Sequence, residues 1–190
     1  LAIKYGGYIL LAGFLLAILF WFLAKKYEPV KFRIHQFVLS LPLIGKMVQS
    51  YQLTNFCRTF GLLARSGLAT FDVMAIITDS TPNLVYKREF KKLAESVAKG
   101  QKIYLQLEKS PKLFPEIVIQ MVATGEASAN LSETLIYLSE MYESEFDDLT
   151  RNLSGALEPV LMVTMGLIVG FIAISIITPI YEITQHLTPR

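Results

Sequence analysis

Two long uncharged runs lie near the two ends of the chain, and they constrain its fold most strongly. Residues 5–24 (YGGYILLAGFLLAILFWFLA) and residues 159–181 (PVLMVTMGLIVGFIAISIITPIY) contain no charged side chain. About 20 apolar residues are enough for a helix to cross the hydrocarbon core of a bilayer, which is roughly 30 Å thick. Both runs are therefore predicted to be membrane-spanning helices. A cleaved signal peptide is the alternative for the first run, but no small-residue cleavage site follows it and the run is too long.

The distribution of basic residues predicts which side of the membrane the middle of the chain occupies. Four basic residues closely follow the first run: Lys25, Lys26, Lys31 and Arg33. The only basic residue before the first run is Lys4, and the only one after the second run is Arg190. Because basic residues are retained on the cytoplasmic side, the segment between the runs is predicted to be cytoplasmic. The expected organisation is a transmembrane helix with short external N-terminal residues (1–24), a cytoplasmic domain (25–158), a second transmembrane helix (159–181) and an external tail (182–190). A single cysteine, which can form no internal disulfide, fits a reducing compartment.

Apolar residues between the two runs recur at helical spacing. Spacings of three and four residues predict one-sided helices with these apolar positions: Leu53, Phe56, Phe60 and Leu63; Tyr86, Phe90, Leu93 and Val97; and Leu131, Leu135, Leu138, Tyr142, Phe146, Leu149 and Leu153. A short helix with Val73, Ile76 and Ile77 facing inward is expected after Gly67, which ends the first of these helices. The predicted fold is all-α: a cytoplasmic bundle of about six helices flanked by two transmembrane helices. Its last helix is expected to continue into the C-terminal run, and Pro159 is the position where that helix could kink.

The cytoplasmic segment is divided by charge. Residues 25–112 carry 15 basic and 6 acidic side chains, whereas residues 113–158 carry 1 basic and 9 acidic side chains. Two interpretations stay open: solvated faces of one bundle, or a basic helix (83–99) that contacts anionic lipid or an acidic partner. The candidate contact residues on that helix are Lys87, Arg88, Lys91 and Lys92.

The stretch ATGEASANLSETL (123–135) raises the question of a phosphate-binding loop. It has no lysine to pair with a phosphate and no strand before it, so a corner between two helices is the better interpretation. Gly125 is predicted to end a buried, central helix (115–124) in the left-handed conformation. Asn130 is expected to cap the next helix, with Glu133 reaching back in a capping box. Glu126 is predicted to be exposed, either as a local cap or as part of a docking surface.

Catalytic and transport chemistry leave few signals. The sequence contains no Walker phosphate loop, no H-E-x-x-H and no C-x-x-C motif, Cys57 lies on an apolar helical face, and His35 and His186 are predicted on opposite sides of the membrane. Carboxylates on the acidic helix could hold a cation between two chains, but carboxylates spread along a solvated face are common, and that is the better interpretation. No catalytic, cofactor-binding or metal-binding residue is assigned.

A transporter or channel subunit is the alternative function, and a membrane-anchored enzyme is a third. Transporters place ionisable groups near mid-membrane, and neither run has one. Small residues at four-residue spacing, which let helix backbones approach, instead favour packing into an assembly: Gly13 and Ala17, and Gly166 and Gly170. The general frequency of glycine in membrane helices is the other explanation for these pairs.

The order of these features resembles that of one family. The matching residues are Leu41-Pro42-x-x-Gly45, Arg58, Leu62-Leu63-x-x-x-Gly67, Leu113-Phe114-Pro115, Gly125-Glu126-x-Ser128-x-x-Leu131, Leu157-Glu158-Pro159 and Pro179-Ile180-Tyr181. Together they resemble the type II secretion F / type IV pilus PilC family of inner-membrane platform proteins. One departure is Ala129, where the family commonly has a second glycine; alanine can replace that glycine if the backbone there keeps negative φ, so the departure bears on turn geometry.

The resemblance implies a function that the residues alone do not. It implies the C-terminal half of a longer protein, in agreement with the Leu1 start: second span, second cytoplasmic domain and third span. It further implies a multi-pass protein of the bacterial inner membrane that is not an enzyme and needs no cofactor. Such a platform would couple a cytoplasmic secretion ATPase to the addition of pilins or pseudopilins in secretion, pilus or competence systems. Its implied partners are that ATPase, the pilins, other inner-membrane assembly proteins and further copies of itself, with no nucleic acid.

Overall fold

The computed structural model describes residues 28–186, with the backbone alone at residues 176 and 178–186. Within this range every regular element is an α-helix. The helices are α1 (Glu28–Ser40), α2 (Ile44–Arg65), α3 (Thr70–Ser80), α4 (Leu84–Ala98), α5 (Ile103–Leu107), α6 (Glu116–Ala127) and α7 (Leu131–His186). Two compact units divide the chain, one ending at Phe146 and one beginning at Asp147. The first predicted span, residues 5–24, lies outside the described residues.

Aromatic side chains from several helices form the centre of the first unit. The ring of Phe56 on α2 stacks on that of Phe90 on α4, with ring centroids 4.8 Å apart, and Phe114 lies against both rings. Tyr86 is fully buried, and its hydroxyl donates a hydrogen bond to the carbonyl oxygen of Leu113 at 3.0 Å. Leu135 and Leu138 of α7 belong to the same buried cluster, so the first part of α7 is a bundle helix.

The helices with clear apolar spacing bury the predicted residues. Leu53, Phe56 and Phe60 are buried on α2, and Leu63 packs against the core. Tyr86, Phe90 and Leu93 are buried on α4, and Val97 is partly buried. The prediction of one-sided helices is therefore confirmed for α2 and α4.

The predicted end of α2 at Gly67 is also correct, and α4 begins at a side-chain cap. Gly67 has φ +85°, and the N–H of Leu68 donates to the carbonyl oxygen of Leu63 at 3.3 Å, which closes α2 as a left-handed C-terminal motif. The side-chain oxygen of Asn83 accepts hydrogen bonds from the N–H groups of Val85 and Tyr86, which caps the start of α4.

Two apolar helices differ from the sequence-based expectation. Helix α6 was predicted to be buried all round, but it buries one face, and Ile117 on the other face is 49% exposed. On α3, Val73 and Ile77 are buried as expected, whereas Ile76 is exposed and Met74 is buried in its place. Both sequences are apolar on nearly every side, so their spacing does not define a single inward face.

Helix α7 runs without interruption from Leu131 to His186, through Pro159. Among the described helices it is the one long and apolar enough to cross a membrane, with an 18-residue window of mean hydropathy 2.2. The predicted all-α fold, in which the last bundle helix continues into the C-terminal apolar run, is confirmed. The membrane boundaries at residues 24 and 159 remain predictions.

Candidate interaction surface

The four basic residues predicted for partner contact lie together on α4. Arg88, Lys91 and Lys92 are exposed and Lys87 is half-buried, whereas the buried residues of α4 are Tyr86, Phe90 and Leu93. We call the group Lys87, Arg88, Lys91 and Lys92 the basic face. Its position follows from the apolar spacing of α4, because the residues between the buried ones are left on the outside.

Two members of the basic face have contacts within the bundle. The guanidinium carbon of Arg88 lies 5.8 Å from the centre of the Phe32 ring on α1. The Nζ atom of Lys92 lies 2.6 Å from Oε1 of Glu89, and the other carboxylate oxygen of Glu89 accepts a hydrogen bond from the hydroxyl of Ser110. The Glu89 side chain is only 13% exposed, so this ion pair occupies Lys92 within the bundle.

Glu126 has a structural role that the sequence did not reveal. It lies within α6 and is half-buried rather than exposed in a turn. Its carboxylate accepts hydrogen bonds from the N–H groups of Ile103 at 2.9 Å and Tyr104 at 3.2 Å, the first two residues of α5. These N–H groups have no partner within their own helix. Glu126 therefore caps α5 from another helix. This role accounts for Glu126 without either of the predicted roles, a local cap or part of a docking surface.

Gly125 does not end its helix, which corrects the prediction. Helix α6 continues to Ala127, and Gly125 is not among the described residues with positive φ. A Cβ atom at Gly125 would lie 2.9 Å from Oγ1 of Thr134 and 3.1 Å from Cα of Leu131. Glycine is therefore required here because the start of α7 packs directly against the backbone of α6.

The left-handed residue of this corner is Ala129, with φ +55°. The condition of negative φ, under which alanine replaces glycine without strain, is therefore not met. The N–H of Asn130 donates to the carbonyl oxygen of Gly125 at 2.9 Å, the long hydrogen bond of a helix C-terminal motif that places its left-handed residue at position 129. Left-handed geometry is unfavourable for alanine because Cβ crowds the neighbouring carbonyl oxygen.

Asn130 and Glu133 contact each other, but not as the predicted capping box. The side-chain amide of Asn130 donates to the carboxylate of Glu133 at 3.0 Å. The backbone N–H of Asn130, which a capping box would direct to Glu133, donates to Gly125 instead. The two residues do flank the start of α7, which begins at Leu131.

Cys57 is the only cysteine of the chain and is fully buried in the bundle. Burial raises the pKa of its thiol, because the thiolate is disfavoured in an apolar environment. A thiol reagent can therefore react with Cys57 only when the bundle opens, and the labelling rate reports the free energy of opening.

Replacement of Ala129 by glycine is expected to stabilise the bundle by about 0.5–1 kcal/mol, because glycine adopts left-handed geometry without the Cβ clash. The urea dependence of Cys57 labelling, in the detergent-solubilised chain, measures this change. Ala127→Gly is the matched control: Ala127 is the last residue of α6, where glycine weakens a helix. Opposite signs are expected for the two variants, and destabilisation by Ala129→Gly would contradict the strain assigned here.

Two long-range contacts were missed at the sequence level. The guanidinium of Arg58 on α2 forms a two-point ion pair with Glu143 on α7, and the pair raises the pKa of Arg58 and lowers that of Glu143. His35 on α1 accepts a hydrogen bond at Nδ1 from the N–H of Leu84 at 3.0 Å. Burial and the charge of Lys31 lower the pKa of His35. No local sequence pattern predicts these contacts, because the partners lie 85 residues apart in the ion pair and 49 residues apart in the His35 hydrogen bond.

The small residues predicted for membrane packing remain predictions. Gly13 and Ala17 lie outside the described residues. Cβ atoms built at Gly166 and Gly170 would meet nothing within 4 Å. Within residues 28–186 no group of three His, Cys, Asp or Glu side chains is placed to hold a metal ion.

The fold and these contacts define an all-helical bundle whose last helix extends into an apolar segment of membrane-spanning length. Residues 56–179 match the family model described as type II secretion system protein F, and the chain belongs to this family. It is 30% identical over 185 residues to type II secretion system protein F of Vibrio cholerae, covering 96% of this chain and 45% of that protein.

Relatives from pilus systems are equally similar. The chain is 28% identical to the type IV pilus assembly protein TapC of Aeromonas hydrophila, over 95% of this chain and 44% of that protein. It is 29% identical to the type IV pilus assembly protein PilC of Pseudomonas aeruginosa, over 85% of this chain and 43% of that protein. The chain thus spans less than half the length of these curated relatives. The family and these names identify a component of secretion or pilus machinery.

Proposed function

We propose that the chain is part of a non-catalytic, multi-pass platform in the bacterial inner membrane. The platform couples a cytoplasmic secretion ATPase to the addition of pilins or pseudopilins to a filament. It works in an oligomer with other inner-membrane assembly proteins. The family and the names of the relatives support a role in secretion or pilus assembly; the coupling role rests on the geometry of α7.

Helix α7 is the single observation that carries this proposal. Its N-terminal part lies in the bundle core through Leu135 and Leu138, and its C-terminal part is apolar and exposed, with Phe171 74% exposed. One continuous helix therefore contains both the bundle residues and the predicted span. A movement of the bundle can reach the membrane through this helix only if α7 is stiff between the bundle residues and the predicted span.

The stiffness of α7 can be tested near Gly155, which lies between the bundle residues and the apolar part of the helix. Insertion of Gly-Gly after Ser154 is expected to abolish filament assembly in a strain that depends on this protein, while the protein stays in the membrane fraction. Glycine lowers helix stability by roughly 1 kcal/mol per residue relative to alanine. Surface filaments counted by electron microscopy, with an immunoblot of the membrane fraction, give the result.

Insertion of Ala-Ala at the same place is the matched control, because it changes length and register equally but keeps the helix stiff. More filaments with Ala-Ala than with Gly-Gly are expected. Equal loss in both would show that register matters and stiffness does not, and normal assembly with Gly-Gly would remove the coupling role altogether.

The basic face on α4 is the proposed contact for the ATPase or another acidic partner. Lys87 and Lys91 carry this proposal furthest, because Arg88 lies over Phe32 and Lys92 is paired with Glu89. Charge complementarity of this kind mainly speeds association and selects partners.

A further inference from the structure

The corner between α1 and α2 presents an apolar surface that the bundle does not cover. Phe37 on α1 is 65% exposed, and Ile34, one turn before it, is also exposed. Leu43 and Ile44, at the start of α2, are exposed as well. We call Ile34, Phe37, Leu43 and Ile44 the corner patch.

The parts of the corner patch are held together by a close backbone contact. A Cβ atom at Gly45 would lie 2.9 Å from the carbonyl carbon of Leu39, so the first turn of α2 packs on the last turn of α1. The other side of α1 packs on α2 and α4. His35 contacts the start of α4 from that side, which leaves the side with Ile34 and Phe37 facing outward.

The surroundings of the corner patch are basic. Residues 28–71 contain five basic residues and one acidic residue, Glu28, and three of the five lie within α1 or the first turn of α2: Lys31, Arg33 and Lys46. Apolar side chains surrounded by basic ones are typical of segments that lie in the headgroup layer of an anionic membrane.

The chain itself brings α1 to such a surface. Only residues 25–27 separate the uncharged run 5–24 from Glu28, the first residue of α1. Three residues reach at most about 10 Å, so α1 begins at the bilayer surface once the run spans the membrane. This step rests on the proposed function, which includes that span.

We propose that residues 28–46 form an interfacial segment that binds anionic lipid. Phe37 and Ile34 insert between the headgroups, and Lys31, Arg33 and Lys46 contact the lipid phosphates. The segment fixes the orientation of the bundle at the membrane, because α1 packs on both α2 and α4.

Tryptophan fluorescence in vesicles tests this proposal. Trp21 is the only tryptophan and lies in the first uncharged run, so Trp21→Phe gives a silent background. In that background, Phe37→Trp reports the corner patch and Tyr137→Trp reports an aromatic position of similar exposure on α7. The proteins are reconstituted in phosphatidylethanolamine and phosphatidylglycerol with brominated acyl chains, which quench tryptophan at the membrane.

Quenching at position 37 is expected to exceed that at position 137 by about threefold, and Arg33→Glu is expected to reduce it, because headgroup attraction and apolar insertion act together. Equal quenching at both positions would overturn the proposal. So would a blue-shifted emission from the Phe37→Trp variant that depends on protein concentration and is not quenched, because that result indicates a second copy on the patch.

The unmodified chain separates this proposal from the proposed function. Its own Trp21 is quenched by brominated lipid if residues 5–24 span the membrane. Quenching of Trp21 without quenching of the Phe37→Trp variant would overturn the interfacial segment alone. Unquenched Trp21 would contradict the predicted span at residues 5–24, and α1 would then have no reason to lie at the bilayer.

Discussion

Replacement of Phe56 by alanine is expected to lower the free energy of unfolding of the bundle by about 3–5 kcal/mol, the usual cost of truncating a buried phenylalanine. Phe56 is 2% exposed and its ring stacks on that of Phe90. It also lies against Phe60 and Phe114, so its removal leaves a cavity at the meeting point of three aromatic rings. These neighbours come from different parts of the chain, which limits how far the site can collapse.

The urea dependence of circular dichroism at 222 nm, on the detergent-solubilised chain, measures this loss. Labelling of Cys57 is unsuitable here because Cys57 directly follows the substituted residue and belongs to the same buried cluster. Phe71→Ala is the matched control: Phe71 is 52% exposed, and truncation at the surface is expected to change stability by no more than about 0.5 kcal/mol. Equal effects of the two substitutions would contradict the central position of Phe56.

The second large effect is expected at Gly61, where α2 meets α7. A Cβ atom there would lie 2.9 Å from the carbonyl oxygen of Ser132 and 2.8 Å from Cγ1 of Ile136. The carbonyl belongs to the backbone of α7 and cannot move aside like a flexible side chain. Gly61→Ala is therefore expected to force the two helices apart and to destabilise the bundle by about 1–3 kcal/mol.

Labelling of Cys57 measures the effect of Gly61→Ala, and Gly155→Ala on α7 is its control. A Cβ atom at Gly155 would meet nothing within 4 Å, so alanine there is expected to be neutral for labelling and to strengthen the helix locally. Unchanged or slower labelling in Gly61→Ala would show that α2 and α7 do not need a glycine contact.

The buried face of a helix could be predicted from the sequence where apolar and charged residues occupy clearly separate sides of that helix. On α4, charged residues fill every position that Tyr86, Phe90 and Leu93 leave open at the centre of the helix, so one face could be assigned. On α3 and α6 the apolar residues surround the helix, and only the packing in the fold decides that Met74 is buried and Ile117 exposed. Periodicity therefore located these helices without fixing their orientation.

The corner at 125–130 shows why contacts between helices escaped prediction. Glycine after an apolar helix predicts a left-handed end, and at Gly67 this was right. At Gly125 the same residue type serves a close contact with Leu131 and Thr134, and the left-handed position falls on Ala129. Only the three-dimensional arrangement distinguishes a glycine needed for its φ angle from one needed for its missing Cβ.

The hydrogen bonds of Glu126 set an order for folding. Helix α5 has five residues, far below the roughly 12–15 that a helix needs to persist alone. Its first two N–H groups are satisfied by a carboxylate 22 and 23 residues further along the chain. During synthesis from the N-terminus, we therefore expect α5 to lack this cap until α6 has left the ribosome. We expect α5 and α6 to form as one cooperative unit.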